Sequence, residues 1–391
     1  MIQFFRNLFV IALVFAATFT LAQAESASSP AELKREVIAN YCAIVSAAYS
    51  DSLALARELE TSIHSFVEKP GSDTLASARK AWIRCRTIYL QTEVTRFCDG
   101  PIEAVEGQIN AWPIDENYID YTVDDASAGV INQPEQFPKI TSELVLRLNE
   151  KGGEKNISTG FHAIEFLLWG QDLSDTSAGE RAHSDYVPSS SGPGKHAARR
   201  ARYLMIVAAL LVENLAEVES AWAANQPGNH RAKLQALPAD EALAAILKGV
   251  GSLSGAELGG ERLLTPYTTK EQEEEHSCFS DTTHLDFICN QTGVQNVFFG
   301  RFTRVDGSMI EGPGLLKLVE TVSQDLAATL NRQITEALSA FRAIPVPFDQ
   351  AIAGRDTAAG RRAIKGAIDA MRAQTLSIAK AATALGIRLN L

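Results

Sequence analysis

Gly160-Phe161-His162-Ala163-Ile164-Glu165-Phe166-Leu167-Leu168-Trp169-Gly170 is the stretch on which the fold and the site both turn. Between its two glycines every residue is apolar except one histidine and one glutamate. Such a run reads as a helix inside a core. His162 and Glu165 stand three apart and so share one face of it. An ionisable pair on a buried face costs free energy unless it is partnered or bound to a metal. An imidazole beside a carboxylate suits zinc or iron. Helical bundles with two metals place Glu and His at i, i+3 facing the core. Two donors do not hold an ion, since catalytic zinc takes three from protein. Other segments must supply the rest.

On either side of it most of the chain reads as helix, and strand signals are nearly absent. Ala31 to Val67 is a long helix, broken at Pro70-Gly71-Ser72, and Thr74 to Phe97 resumes the pattern. An irregular stretch follows from Asp99 to Pro138, long enough to suggest function. Ile140 to Asn149 and Ile157 to Trp169 are helical, and the Ser, Gly and Pro-rich run up to Lys195 marks a domain boundary. Further helices are expected at His196 to Ala224, Ala239 to Leu264, from Gly314 through Phe341, and within Gly354 to Leu385. The fold class is therefore all-α, with two helical-bundle domains at 25–190 and 191–391 and irregular insertions. Ser158 to Glu165 has a faint echo in Ser254 to Glu261, as a duplication would leave.

Residues 1–24 read as an export signal: Arg6, an apolar run from Leu8 to Leu21, then Ala22-Gln23-Ala24. Without that segment's arginine the chain is one unit more negative than the −11 of all 391 residues. An acidic surface disfavours nucleic acid and anionic membranes and mildly favours cations. No later run is long enough to span a bilayer. The expected location is the periplasm.

Five cysteines allow at most two bridges. Cys42 lies 28 residues before Pro70 and Cys98 lies 28 after it, so a helical hairpin turning there sets them level. Cys42–Cys98 is expected as one disulfide, with Cys85 a buried free thiol. Cys278 and Cys289 sit in a loop-like stretch and form the second expected bridge.

Two more constellations carry chemistry. Trp82, Arg86, Tyr89, Glu93 and Arg96 recur at helical spacing. This is an aromatic core stripe, yet its charges suit a polar interior site, with Glu93 a candidate ligand or general base. The stretch from Glu273 to Asp286 gathers His276, Asp281, His284 and Asp286, two of the chain's seven histidines beside two aspartates. These suit site walls or groups that hold ligands in place. HExxH, GxSxG, P-loop and Rossmann patterns are all absent.

At these residues the chain resembles the imelysin family of exported bacterial proteins. The segments that carry the resemblance are Gly160, His162 and Glu165 as G-x-H-x-x-E; Trp82, Arg86, Tyr89 and Glu93 on one helix; Asn110, Trp112, Pro113 and Asp115 followed by Tyr118-Ile119-Asp120-Tyr121; and Glu275 to Asp281. Glu103 stands where the family usually has aspartate. The resemblance implies duplicated bundles with a site in the cleft between them and a link to iron acquisition. The expected metal donors are His162, Glu165, Glu93, His276 and His284, for iron or zinc. Arg86, Tyr89, Trp112, Tyr118, Asp281 and Asp286 are expected around them. Expected partners are an ion or small ligand in the cleft and iron-uptake components of the periplasm or outer membrane. The competing functions are a zinc metallopeptidase, as the family is classed, and a non-catalytic scaffold for a peptide, glycan or haem-like ligand.

Overall fold

The computed structural model describes residues 29–389. The export signal expected at 1–24 lies outside the described residues. Helix α1 (Pro30–Glu68) starts on a capping box: the Ser29 hydroxyl accepts from the Glu32 N–H and the Glu32 carboxylate accepts from the Ser29 N–H. Pro30 fits at its first turn, where no N–H is needed. The chain reverses at Pro70 and Gly71 into α2 (Ser72–Tyr89), which runs back along α1.

Helix α3 (Gly160–Trp169) is the quoted stretch, buried at every position. It packs between α2 and α4 (Ala197–Trp222), and α4 also lies along α1. These four helices form the first bundle, joined by α5 (Ala239–Ser252). Because α4 packs on α1 and α3, the boundary expected near residue 190 falls inside this bundle. The second bundle consists of α6 (Thr283–Phe299), α7 (Leu315–Val322), α8 (Gln324–Arg342), the short α9 (Phe348–Ile352) and α10 (Ala359–Ala384). A continuous apolar core runs from Leu33 in α1 to Ile378 in α10. The fold is all-α; among the described residues the strands are one antiparallel pair, β1 (Arg301–Thr303) and β2 (Met309–Glu311).

Two departures from regular helix place the site. At Leu90 the chain leaves α2 and tightens into a 3₁₀ turn, Leu90–Thr95, which packs against α6. A Cβ on Gly293 of α6 would sit 2.5 Å from the Gln91 carbonyl oxygen, so glycine lets the two backbones meet. After α5 the winding widens into a π-helix, Leu253–Leu264. Its i→i+5 period sets Glu257 and Arg262 on one side, and they pair at 2.8 Å.

The same 3₁₀ turn undoes the first expected disulfide. Cys42 and Cys98 would be level only if α2 continued to residue 98. A 3₁₀ turn rises about 2.0 Å per residue instead of 1.5 Å, and Phe97 and Asp99 take positive φ, so the register is lost. The Cys98 thiol donates instead to the Thr95 carbonyl at 2.9 Å. The Cys278–Cys289 bridge is also absent, because Cys289 sits on α6 rather than in a loop. All five cysteines are free thiols, and Cys85 is buried as expected.

One buried carboxylate anchors the middle of the long insertion. Asp120 is fully buried and takes Arg200 through both oxygens, at 2.6 and 2.8 Å, and Arg181 at 2.8 Å. Asp120 thereby ties the Tyr118–Tyr121 segment to α4 and to the loop after α3.

Candidate functional site

Arg86 is the hub. It projects from α2 into the junction of the bundles and is 1% exposed. Its Nε donates to Ser277 Oγ at 2.9 Å, its Nη1 to Asn110 Oδ1 at 2.8 Å, and its Nη2 to Asp286 Oδ2 at 2.8 Å. The same Nη2 lies 3.3 Å from His162 Nε2 and 3.0 Å from His276 Nδ1. Trp82 and Phe161 carry the guanidinium on their faces.

The hydrogen-bond chemistry orients both imidazoles. An arginine can only donate, so His162 accepts it at Nε2. Its Nδ1–H then goes to Glu165 Oε2 at 2.9 Å. The other Glu165 oxygen accepts the Ser280 N–H at 3.0 Å and its hydroxyl at 2.6 Å. Glu165 therefore fixes the segment that carries His276. Arg86 Nη2 has two hydrogens, directed at Asp286 and His162, so His276 Nδ1, 2.8 Å from Asp286 Oδ2, takes the role of donor to that carboxylate and Nε2 keeps its lone pair. No described residue hydrogen-bonds that Nε2. A histidine that donates to a carboxylate through one nitrogen and offers the other is arranged as metal-binding histidines are.

Burial, and then Arg86, holds His162 well below its usual pKa; burial, Arg262 and Arg86 do the same to His276. Both rings are neutral near pH 7, as ligation requires. Burial pushes Glu165 up to about 8, against the pull of Arg86 and Ser280. The two rings stand edge to face, centroids 4.9 Å apart, with Trp112 packed on His162 at 4.7 Å.

Glu93 is fully engaged. It pairs with Arg262 and accepts Asn110 Nδ2 at 2.6 Å and Asn290 Nδ2 at 2.9 Å. Asn110 thus joins the Arg86 and Glu93 networks. Burial works to raise the Glu93 pKa, but Arg262 and Arg96 outweigh it and hold it at about 2.

Beside the hub opens a cavity of about 430 Å³. His276, Asn110, Trp112 and Arg262 form part of its lining. Six glutamates line it as well: Glu106, Glu150, Glu154, Glu257, Glu261 and Glu274. Its two arginines are already paired, Arg96 with Glu93, Glu106 and Glu257, and Arg262 with Glu93 and Glu257. The cavity is an acidic vestibule with one free imidazole nitrogen, which suits a cation.

The expected donors are therefore only partly brought together. His162, Glu165 and His276 meet around Arg86, with Asp286 and Trp112. Among the described residues, no three of His162, Glu165, Glu93, His276 and His284 bring ligand atoms within 4.8 Å of one another. The guanidinium stands between the imidazoles, and Glu93 is saturated by donors. His284 lies against the backbone of Asp281. Tyr89 packs on Phe161, and Tyr118 donates to the Leu148 carbonyl, outside the cavity lining. Asp281 faces Asp172 and Asp349. Sequence reasoning did not single out Ser277, Ser280, Arg262 or the vestibule glutamates. The Glu257 and Glu261 echo of the His162 motif was the one signal for the latter.

The motif glycine has a separate reason. Gly160 takes φ +82°, and a Cβ there would collide with the Ile109 carbonyl oxygen. Gly160→Ala is expected to lower stability by about 2–3 kcal/mol, read from the urea midpoint. An unchanged midpoint would show that the start of α3 has room the geometry denies.

Comparison with known proteins agrees with this architecture. The imelysin (peptidase M75) family model matches residues 45–378. Iron-regulated protein A of Synechococcus elongatus is 27% identical over 320 residues, covering 79% of this chain and 75% of that protein. The structure of an iron-regulated protein A precursor from Parabacteroides distasonis superposes with TM-score 0.71 at 17% identity, covering 93% of this chain and 97% of that one. An imelysin-like protein from Psychrobacter arcticum gives 0.66 at 15% identity, covering 93% and 99%. The chain belongs to the imelysin family.

Proposed function

We propose that this chain is an exported iron-acquisition protein whose cargo, an iron ion, is captured in the acidic vestibule at His276 Nε2. The observation that carries the reading is the pairing of that free nitrogen, oriented by Asp286, with a wall of glutamates. Carboxylate oxygens and one imidazole suit iron. The iron-regulated names of the relatives support iron as the ion, and the 1–24 segment supports export. His162, Glu165 and Arg86 hold the His276 segment in place. His162 becomes a donor only if Arg86 leaves its Nε2. A zinc peptidase needs three gathered protein ligands and an open position. The described residues offer no such set from the expected donors.

Calorimetric titration with Fe(II) under nitrogen, and with Fe(III), tests this. One ion per chain is expected, with affinity lowered at least about tenfold by His276→Ala and by Glu154→Gln/Glu261→Gln. Wild-type protein that binds no iron, or variants that bind as tightly as wild type, would overturn it.

A further inference from the structure

Beyond the iron site, the segment that carries His276 and Ser280 presents two other residues to a different place. Glu275 is 1% exposed, and neither of its carboxylate oxygens has a hydrogen-bond partner. Its neighbours are the Asp349 and Asp281 carboxyls and the Thr283 hydroxyl, with no cation among them. Asp281 Oδ1 and Asp349 Oδ1 are likewise buried and unpartnered. Asp172, Asp281 and Asp349 each offer an oxygen within 4.8 Å of the other two. Among the described residues no lysine or arginine forms an ion pair with any of the four carboxylates. The donors they do have are few: Ser174 N–H at 3.0 Å and Gln272 Nε2 at 2.7 Å on Asp172, and Gln272 Nε2 at 3.4 Å on Asp349.

Buried carboxylates without donors or countercharges either take up protons or hold a cation among them, and four of them converging on one point favours the cation. We propose that Asp172, Asp281, Asp349 and Glu275 form a site for a hard divalent cation, Ca²⁺ in the first place. Every donor is oxygen, which separates the site from zinc and from the imidazole-bearing vestibule. Oxygens that all lie within 4.8 Å of one another fit around Ca²⁺, whose ligands at about 2.3–2.6 Å stand up to about 5 Å apart, and Ca²⁺ sheds its water for carboxylates more readily than Mg²⁺.

The site joins three parts of the fold. Asp172 follows α3, Asp349 lies on α9, and Glu275 and Asp281 bracket His276–Ser280. A bound cation fastens the second bundle to the loop behind the His162 helix and holds the His276 segment from its other side.

The test uses the full mature chain after chelator treatment. Calorimetry with Ca²⁺, and sensitised luminescence with Tb³⁺ as a Ca²⁺ probe, are expected to show one ion per chain. Melting temperature should rise with Ca²⁺ and less with Mg²⁺. Asp349→Asn and Glu275→Gln remove like-charge repulsion, so they should fold at least as well as wild type without metal. Each should weaken Ca²⁺ binding at least tenfold, while His276→Ala leaves it unchanged. Absence of Ca²⁺ binding at millimolar concentration would overturn the proposal, as would equal affinity in the two carboxamide variants. Loss of the Ca²⁺ site in His276→Ala would assign the ion to the vestibule and overturn it too.

Discussion

Arg86→Leu is expected to destabilise the protein by about 3–5 kcal/mol, a cost typical of leaving a buried charge without its partner. Asp286 would keep the Ser277 hydroxyl and the His276 N–H but lose its one cation. Asn110 Oδ1 and His162 Nε2 would lose their donor inside a closed core. Arg86→Lys should recover little, because one ammonium cannot reach Ser277, Asn110 and Asp286 in the fan that a guanidinium spans. Urea unfolding measures the loss. The His276 imidazole gives a second readout: part of its depressed pKa comes from Arg86, so its NMR titration should move up in any folded Arg86 variant. A loss under about 1 kcal/mol with no movement of His276 would mean that Arg86 is not the hub.

The second large effect concerns acid. Glu93 goes from an ordinary pKa of 4.5 to about 2 on folding. A carboxyl with a depressed folded pKa stabilises fully above its unfolded value, and that contribution is lost as pH falls towards the folded one. The window is pH 4.5 down to 2, and the amount is on the order of 3 kcal/mol. Glu93→Gln should lower stability at pH 7 by a similar amount, since Arg262 then keeps only Glu257 as a charge partner. Its stability should also fall less steeply than wild type below pH 4.5. Parallel pH profiles would show that the Glu93–Arg262 pair does not set acid stability.

Much of the framework was legible in the chain because its helices announce themselves. Pro70-Gly71 marks the first turn, and α3 is an apolar run closed by Gly170. The hub was legible for the same reason: Arg86, His162 and Glu165 stand out as polar residues in apolar helices. α6 was not legible, because it buries Asn290 and Gln291 alongside Phe287 and Val294 and so lacks a clean apolar face. That hid the true place of Cys289. The 3₁₀ turn after α2 comes from packing against α6, which local propensity does not encode, and it defeats any register argument for Cys98. Asp172 and Asp349 look like ordinary loop and helix-start residues. Only the tertiary fold brings them to Asp281.

Anomalous diffraction at the iron edge from iron-loaded crystals tests the central claim most directly. The account predicts an ion in the vestibule, bound by His276 Nε2 and by glutamates of its wall, with Arg86 still between the imidazoles. An ion held by His162 Nε2 and Glu165, with Arg86 swung away, would contradict it.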